Sequence, residues 1–292
     1  MNTRRMPFAS NRFRDIEQEF HSELHDLYPE GERRSMLRLL AEEYLHWDTT
    51  AYLLHRDSTI DQSDLLKFYW AMEDLKRHRP LQHIIGHVHF CGQELEVDPA
   101  VLIPRRETEE LVTLVESRCD APQTILDLCT GSGCIALALA AHYPQARVYG
   151  VDLSPDALAV AQRNAERNRK PVRFLCHDLL LSPPPLPDSS FDLIVSNPPY
   201  VRESERTQME PNVLDYEPSV ALFVPDDDPL RFYRHIAHYA SSHLSEAGLA
   251  AVEINEALGD ETVSLFRKQG LDASLHKDLN DKDRFVLARR RP

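Results

Sequence analysis

The fold of this chain is decided by a short stretch near its middle, which reads Asp127-Leu128-Cys129-Thr130-Gly131-Ser132-Gly133-Cys134. It follows an apolar run from Thr124 that predicts a strand, and it precedes a predicted helix over 135–142. Glycines in such a turn let the backbone approach a ligand closely and open a helix N-terminus with free N–H donors. Because the 292 residues include only nine glycines, two within three residues indicate a backbone requirement at this turn.

A carboxylate follows the next predicted strand. Residues 147–151 form that strand, and Asp152 stands at its end, where related folds place the acid that binds a ribose diol. The full dinucleotide motif G-x-G-x-x-G is incomplete, because Ala136 replaces its last glycine and Cys129 precedes the pair. Dinucleotide binding is therefore the poorer interpretation, although it stays open at this stage.

Strands and helices alternate from residue 124 onward. The predicted strands lie at 124–128, 147–151, 172–175, 191–197, 249–254, 272–277 and 284–289, and the main helices at about 135–142, 155–167, 229–244 and 256–268. This alternation predicts a doubly wound α/β fold with a mainly parallel sheet of seven strands. Residues 201–227 are expected to form a long loop.

The fourth strand ends in the stretch Ile194-Val195-Ser196-Asn197-Pro198-Pro199-Tyr200. Prolines cannot donate a ladder hydrogen bond, so Asn197 lies at the C-terminal end of this strand, where open α/β sheets bind ligands. The Asn197 amide oxygen and the Pro198 carbonyl can both accept hydrogen bonds. This pair suits a planar –NH2 group, whose two N–H donors need two acceptors, and Tyr200 adds a flat aromatic wall. An ordinary proline-rich turn is the plainer alternative on these residues alone.

The N-terminal part predicts a different architecture. Apolar residues recur at helical spacing up to about residue 80, which predicts a small helical bundle, because amphipathic helices this short need one another. The residues just after 80 are interpreted as a linker, and alternation over 87–97 predicts a β-hairpin that turns at Gly92. We therefore divide the chain into a helical domain at 1–80, a linker and hairpin at 81–100, and an α/β domain at 101–292.

Composition limits the classes of function. Asp and Glu number 47 against 33 Lys and Arg, and a net charge of −14 disfavours direct nucleic-acid binding without a concentrated basic face. The five cysteines show no CxxC spacing, which is typical of reduced thiols in the cytoplasm. The histidines show no zinc-ligand pattern, and no apolar run is long enough for a signal peptide or a membrane span. We expect a soluble, cytoplasmic protein that needs no metal and binds no membrane.

Six stretches together resemble one known family: residues 79–86, 101–111, 126–133, 196–200, 216–218 and 277–285. They are similar to the protein-(glutamine-N5) methyltransferases that act on class I peptide-chain release factors, the PrmC or HemK family. That family usually has glycine at the position of Cys129 and proline at that of Arg106. Cys129 instead resembles the sister family that methylates a glutamine of ribosomal protein uL3, whereas 107–109 and the C-terminal Asp-Arg-Phe at 283–285 fit the release-factor enzymes better.

The resemblance implies a Rossmann-like class I methyltransferase fold with S-adenosyl-L-methionine as the methyl donor and S-adenosyl-L-homocysteine as the product. It implies a cofactor site made of Cys129, Thr130, Gly131, Ser132, Gly133, Asp152, Asp178, Leu179 and Asn197. Asp152 would bind the ribose and Asp178-Leu179 would flank the adenine, although Asp178 is explained equally well as a structural cap. The glutamine of a Gly-Gly-Gln loop would bind to Asn197, Pro198, Pro199 and Tyr200.

Within that set, the resemblance implies that Asn197, Pro198 and Tyr200 are the catalytic residues. It also implies that the helical domain helps to dock the release factor, and we expect the enzyme to act as a monomer. Three alternatives stay open: methylation of a glutamine in uL3, N-methylation of a nucleic-acid base amine, and a non-catalytic binding module. The net charge and the lack of room for a target-recognition domain disfavour the base amine, and the intact Asp152 and Asn197 disfavour the module.

Overall fold

The computed structural model describes Phe8 and residues 10–291, and the chain forms two compact units. One unit extends to Gly86 and includes residues 211–216. The other unit consists of residues 87–210 and of those from Glu217 onward. The hairpin after Gly86 therefore belongs to the second unit.

The first unit is a helical bundle. It contains α1 (Phe13–Glu23), α2 (Glu30–Leu45), α3 (Thr49–Leu54), α4 (Gln62–Leu75) and α5 (Leu81–Ile85). Aromatic rings fill its core. Phe13 and Phe68 are fully buried, and their rings pack edge to face with centroids 5.7 Å apart. A short helix from the later part of the chain, α9 (Pro211–Leu214), belongs to the same unit, and the Tyr216 hydroxyl donates a hydrogen bond to the Arg77 carbonyl oxygen at 2.8 Å.

Residues 81–85 form a helix where the sequence predicts a linker. Pro80 occupies the N-cap position, where its missing N–H would be unpaired in any case, and Gly86 ends the helix with a φ of 89°. Leu81 and His83 are buried. Burial and these two caps therefore order a segment whose proline and glycine alone indicate a break.

The second unit is built on a sheet of seven strands in the order β10-β11-β9-β6-β3-β4-β5. These strands are β3 (Thr124–Leu128), β4 (Arg147–Asp152), β5 (Val172–Cys176), β6 (Phe191–Ser196), β9 (Leu244–Glu253), β10 (Leu271–Lys277) and β11 (Asp283–Arg290). β3, β4, β5, β6 and β9 run parallel, whereas β11 pairs antiparallel with both β9 and β10. The predicted seven-stranded, mainly parallel α/β fold is confirmed.

Helices cover this sheet, and a separate hairpin precedes it. The helices are α6 (Arg106–Glu116), α7 (Cys134–His142), α8 (Pro155–Asn168), α11 (Arg231–His243) and α12 (Gly259–Lys268). β1 (His87–Phe90) and β2 (Gln93–Glu96) pair antiparallel around Cys91 and Gly92, whose φ values of 45° and 73° suit a tight two-residue turn. The hairpin predicted to turn at Gly92 is confirmed. The side chain of Asn164 joins it to the unit by bonds to both the N–H and the carbonyl of Glu96.

The region predicted as one long loop contains short elements. β7 (Val201–Arg202) pairs in parallel with β8 (Phe223–Val224), and a 3₁₀ helix (Glu203–Gln208) and α10 (Ser219–Leu222) lie between them. Ser204 bonds to Asp226 through both its backbone N–H and its hydroxyl, which links the two ends of the region. A second 3₁₀ helix covers Glu256–Leu258. No helix in the described part of the chain has the length and apolar character needed to cross a membrane.

Candidate active site

Three strand ends meet at one edge of the sheet. The register pairs Leu128 of β3 with Val151 of β4 on one side and with Ser196 of β6 on the other. Asp152, Asn197 and the glycine turn after Leu128 are therefore neighbours. Since the chain runs outward from β3 to β5 and then returns to β6 on the other side of β3, these ends flank the topological switch point, where open α/β sheets bind ligands.

The glycine turn is made of left-handed backbone. Cys129, Gly131 and Gly133 have φ values of 60°, 54° and 81°. A Cβ at Gly133 would lie 3.2 Å from the Ala161 Cβ, so any larger residue would be tightly packed there as well as strained at this backbone angle. A Cβ at Gly131 would meet nothing within 4 Å, so this position faces open space.

Asp152 closes the turn from the neighbouring strand. Its Oδ2 accepts a hydrogen bond from the Gly131 N–H at 2.8 Å, and its Oδ1 accepts one from the Ser154 N–H at 2.9 Å. Burial raises the pKa of Asp152, whereas these backbone donors lower it. A carboxylate offers about four lone-pair positions, so each oxygen can still accept a further hydrogen bond.

Asp127 supports the turn from within β3, a role that no sequence motif assigns to it. Its Oδ2 accepts hydrogen bonds from Thr130 Oγ1 at 2.5 Å and from the Ala136 N–H at 3.2 Å, which joins the strand, the turn and helix α7. Asp127 is fully buried, and burial raises the pKa of its carboxyl group from 3.8 to about 7. An acid inside an otherwise apolar strand was the sequence signal that could have identified it.

A cleft with a cavity volume of about 250 Å³ lies at this edge. Nine of the predicted site residues line it: Cys129, Thr130, Gly131, Ser132, Asp152, Asp178, Leu179, Asn197 and Pro199. Gly133, Pro198 and Tyr200 are not part of the lining. Asp178 Oδ1 accepts a hydrogen bond from the Leu180 N–H at 2.9 Å, so its role as a local cap is observed, and a ligand role remains a prediction.

A chain of hydrogen bonds links Asn197 to Tyr200 through Thr108 and Glu253, two residues to which no sequence motif assigns a role. Asn197 Nδ2 donates to Thr108 Oγ1 at 3.0 Å, and Thr108 Oγ1 donates to Glu253 Oε2 at 2.8 Å. The Tyr200 hydroxyl donates to Glu253 Oε1 at 3.0 Å. One buried carboxylate therefore holds both polar side chains of the Asn-Pro-Pro-Tyr motif.

The Glu253 carboxylate is buried, and burial changes its pKa. Glu253 is 1% exposed, and this burial raises the pKa of its carboxyl group. The hydrogen bonds from Thr108 and Tyr200 and the charge of Arg284 lower that pKa but do not offset the burial. Burial and the Glu253 charge raise the pKa of Tyr200 well above its ordinary value. The Tyr200 phenol is therefore a hydrogen-bond donor at neutral pH.

Comparison with known proteins decides the family. The PrmC N-terminal domain family matches residues 15–86, and a methyltransferase domain family matches residues 125–213. A release factor glutamine methyltransferase from Bacteroides thetaiotaomicron is 40% identical over 91% of this chain and 96% of its own length. One from Flavobacterium psychrophilum is 38% identical over 92% of this chain and 95% of its own length. The chain belongs to the release factor glutamine methyltransferase family.

Solved structures confirm the fold of this family member at lower identity. A 16S rRNA N2 methyltransferase from T. thermophilus, in complex with AdoMet and guanosine, is 18% identical with a TM-score of 0.51 and covers 70% of this chain and 50% of its own. A methyltransferase from Pyrococcus furiosus is 18% identical with a TM-score of 0.50, over 68% and 88%. At this identity the likeness shows a Rossmann-like class I methyltransferase fold and nothing finer.

The residues of the cleft fit S-adenosylmethionine, the methyl donor of such methyltransferases. Ser132 lines the cleft, and its buried Oγ makes no hydrogen bond of standard geometry within the described residues. Gly131 leaves open space where any other residue would place a Cβ, and Asp152 keeps unused lone pairs for hydroxyl donors. Side chains in the described part of the chain form no cluster of three or more metal-ligating residues.

A second buried carboxylate, Glu217, holds two segments that line the cleft. Glu217 Oε2 accepts a hydrogen bond from the Ile103 N–H at 2.9 Å, and Glu217 Oε1 accepts one from Arg105 Nη2 at 2.5 Å. Arg105 and the neighbouring Pro218 both line the cleft. Residues 101–111 and 216–218, which both carry the family resemblance, are thus joined by the hydrogen bonds of Glu217. The sequence alone does not show that these two segments are in contact.

Proposed function

We propose that this protein transfers a methyl group from S-adenosyl-L-methionine to the side-chain amide nitrogen of the glutamine in the Gly-Gly-Gln motif of class I release factors. The supporting observation within the structure is that Asp152, the last residue of β4, and Asn197, which follows β6, line one cleft at the switch point. Relatives 40% and 38% identical over nine tenths of the chain are release factor glutamine methyltransferases. Methylation of uL3 or of a base amine is not favoured.

The chain's own residues bind the cofactor in this proposal. Asp152 accepts hydrogen bonds from the ribose hydroxyls, the glycine turn and Ser132 contact the methionine part, and Leu179 packs beside the adenine. Bound there, S-adenosylmethionine supplies a methyl group that its sulfonium centre already activates. No covalent intermediate with the protein is needed.

Orientation of the glutamine amide is the main task of the remaining residues. An amide nitrogen is a poor nucleophile because its lone pair is delocalised into the carbonyl. Asn197 Oδ1 and the Pro198 carbonyl accept hydrogen bonds from its two N–H groups, which holds the nitrogen in place and stabilises the positive charge that develops on it. Pro199 and Tyr200 pack against the planar amide, and solvent takes the proton that the nitrogen loses.

The helical unit is proposed to dock the release factor. It exposes apolar side chains that a partner can cover, among them Leu54 at 75% and Trp70 at 57% of their surface. Trp70→Ser should raise the KM for the release factor and leave S-adenosylmethionine affinity unchanged.

We also propose that the protein is a cytoplasmic monomer that binds no nucleic acid directly, in accord with its net charge of −14. Cell fractionation tests the location, light scattering tests the oligomeric state, and an RNA-binding assay tests the third point.

A mass determination tests the proposed activity. Release factor isolated in unmethylated form is incubated with this protein and S-adenosylmethionine and then digested, and the Gly-Gly-Gln peptide is analysed by fragmentation. The expected result is one added methyl group on that glutamine. Methyl groups on uL3 or on RNA, with none on the release factor, would overturn the proposal.

A matched pair of asparagine variants tests the site. Asn197→Ala should lower the methylation rate by at least about a hundredfold, because orientation and charge stabilisation are lost together. Asn168→Ala is the control, since the Asn168 side chain bonds to the Glu94 and Asn164 carbonyls, away from the cleft lining, and should leave the rate unchanged. An active Asn197→Ala enzyme would remove Asn197 from the mechanism.

A further inference from the structure

The orientation of the Asn197 amide is decided by a count of protons. A threonine hydroxyl has one proton, and Thr108 donates it to the Glu253 carboxylate at 2.8 Å. While Glu253 is ionised, Thr108 Oγ1 can therefore only accept from Asn197, and the Asn197 group that faces it at 3.0 Å is the Nδ2 amine. The Oδ1 end must face away from Thr108.

The same geometry leaves Asn197 Oδ1 available to a ligand. Asn197 lines the cleft, and within the described residues its Oδ1 accepts no hydrogen bond. A flipped amide would place Oδ1 against the lone pairs of Thr108 Oγ1 and would aim two N–H donors at the substrate amine. That arrangement would repel the two donors of a glutamine –NH2 group.

The sheet register explains why these residues meet. Ser196 of β6 pairs with Val252 of β9, so the next residues along, Asn197 and Glu253, lie at the same edge. Thr108 is 2% exposed and lies in the first turn of α6, and all of these residues belong to the second unit. Burial prevents water from replacing either partner of Thr108.

We propose that Thr108 is a positioning residue for methyl transfer: the Glu253 carboxylate takes its only proton, and Thr108 thereby holds Asn197 Oδ1 toward the glutamine amide. This inference rests on the proposed function, because it requires a substrate with two N–H donors. Thr108 also lines the cleft, but its hydroxyl proton is bound by the Glu253 carboxylate. It acts through Asn197.

The experiment measures kcat, the KM for the release factor and S-adenosylmethionine affinity in three single variants of the full chain. Thr108→Val removes the acceptor and should lower kcat by at least about tenfold, with cofactor affinity unchanged. Thr108→Ser keeps the hydroxyl and should restore kcat to within about threefold of the wild type. Thr262→Val is the matched control, since Thr262 is also buried but bonds to the Leu258 carbonyl, and it should affect stability without affecting kcat.

A double-variant cycle separates positioning from a general structural effect. In the Asn197→Ala background, where there is no amide to orient, Thr108→Val should change kcat by less than about twofold. A further tenfold loss in that background would overturn the proposal, as would an undiminished kcat of Thr108→Val in the wild-type background. Thr108→Ala provides the same comparison if the valine variant does not fold.

The outcome for the wild-type enzyme keeps the two proposals apart. If the wild type does not methylate the release factor, the proposed function fails. If the wild type is active but the rates of the Thr108 variants follow their thermal stability rather than the presence of a hydroxyl, this inference alone fails.

Discussion

The Tyr200 hydroxyl donates a hydrogen bond to Glu253 Oε1 across 3.0 Å. Glu253 is buried, and within the described residues Thr108 is the other side-chain donor to its carboxylate. The aromatic residue of the Asn-Pro-Pro-Tyr motif is therefore tied to the acid that also acts on Asn197 through Thr108. A substitution of Tyr200 should therefore alter the hydrogen bonding of the Glu253 carboxylate, on which the orientation of Asn197 also depends.

We expect Tyr200→Phe to lower the free energy of unfolding by about 1.5–3 kcal/mol, the usual contribution of a hydrogen bond to a charged group. The control is Tyr233→Phe, because the Tyr233 hydroxyl donates at 3.2 Å to the neutral Glu253 backbone carbonyl and should contribute about 0.5–1.5 kcal/mol. Urea denaturation measures both. A smaller loss for Tyr200→Phe than for Tyr233→Phe would contradict the charged hydrogen bond.

Asp152→Ala should weaken S-adenosylmethionine binding by at least about tenfold, because the ribose hydroxyls lose their proposed acceptor. A tenfold change in affinity corresponds to about 1.4 kcal/mol of binding free energy. The variant removes the proposed ribose acceptor and also leaves the Gly131 N–H without its bond at 2.8 Å. Calorimetric titration measures the affinity. Asp156→Ala makes the same change in charge on an exposed first-turn residue of α8 and should keep the wild-type affinity. Equal affinities in the two variants would exclude Asp152 from the cofactor site.

Asp127 should make stability depend on pH. The pKa of its carboxyl group is about 7 in the folded protein against an ordinary 3.8, so between these values the folded state holds a proton that the unfolded state has lost. Stability from this group is thus fully present below about pH 4 and is lost as pH rises toward 7, by up to about 4 kcal/mol.

The Asp127→Asn variant isolates this effect. The amide does not titrate, and its oxygen can still accept from Thr130 and Ala136. The difference in unfolding free energy between variant and wild type should therefore shift in favour of the variant from pH 4 to pH 7 and then stay constant. Urea denaturation over pH 4–9 measures it, and a difference independent of pH would mean that Asp127 titrates normally.

Cys129 occupies a position that favours glycine. A φ of 60° costs an L-residue about 1–2 kcal/mol, whereas glycine adds about 0.5–1 kcal/mol of conformational freedom to the unfolded chain. Cys129→Gly should therefore leave the unfolding free energy unchanged or raise it slightly, with cofactor affinity kept. Cys129→Val should lower it by at least about 1 kcal/mol, because a β-branched side chain tolerates this angle poorly. A valine variant as stable as the glycine variant would refute the backbone argument.

Local sequence determined the elements of this protein. The seven-stranded alternation, the glycine turn after Leu128 and the end of β6 just before Asn197 depend on periodicity and on chain-breaking residues, which act over a few positions. The same local reasoning was wrong for residues 81–85, where Pro80 and Gly86 cap a helix instead of breaking the chain. Burial of Leu81 decided that case, and burial is not a local property.

The tertiary structure decided which side chains act together. Thr108 lies 89 residues from Asn197 and 145 from Glu253, and neither spacing carries a signal in the sequence. The pairing of β6 with β9 brings Glu253 beside Asn197, and α6 supplies the hydroxyl between them. The sequence alone thus determined that an asparagine ends a strand at a ligand-binding edge. The orientation of its amide depends on the buried Glu253 carboxylate, which lies near Asn197 only because β6 and β9 pair in this register in the folded sheet.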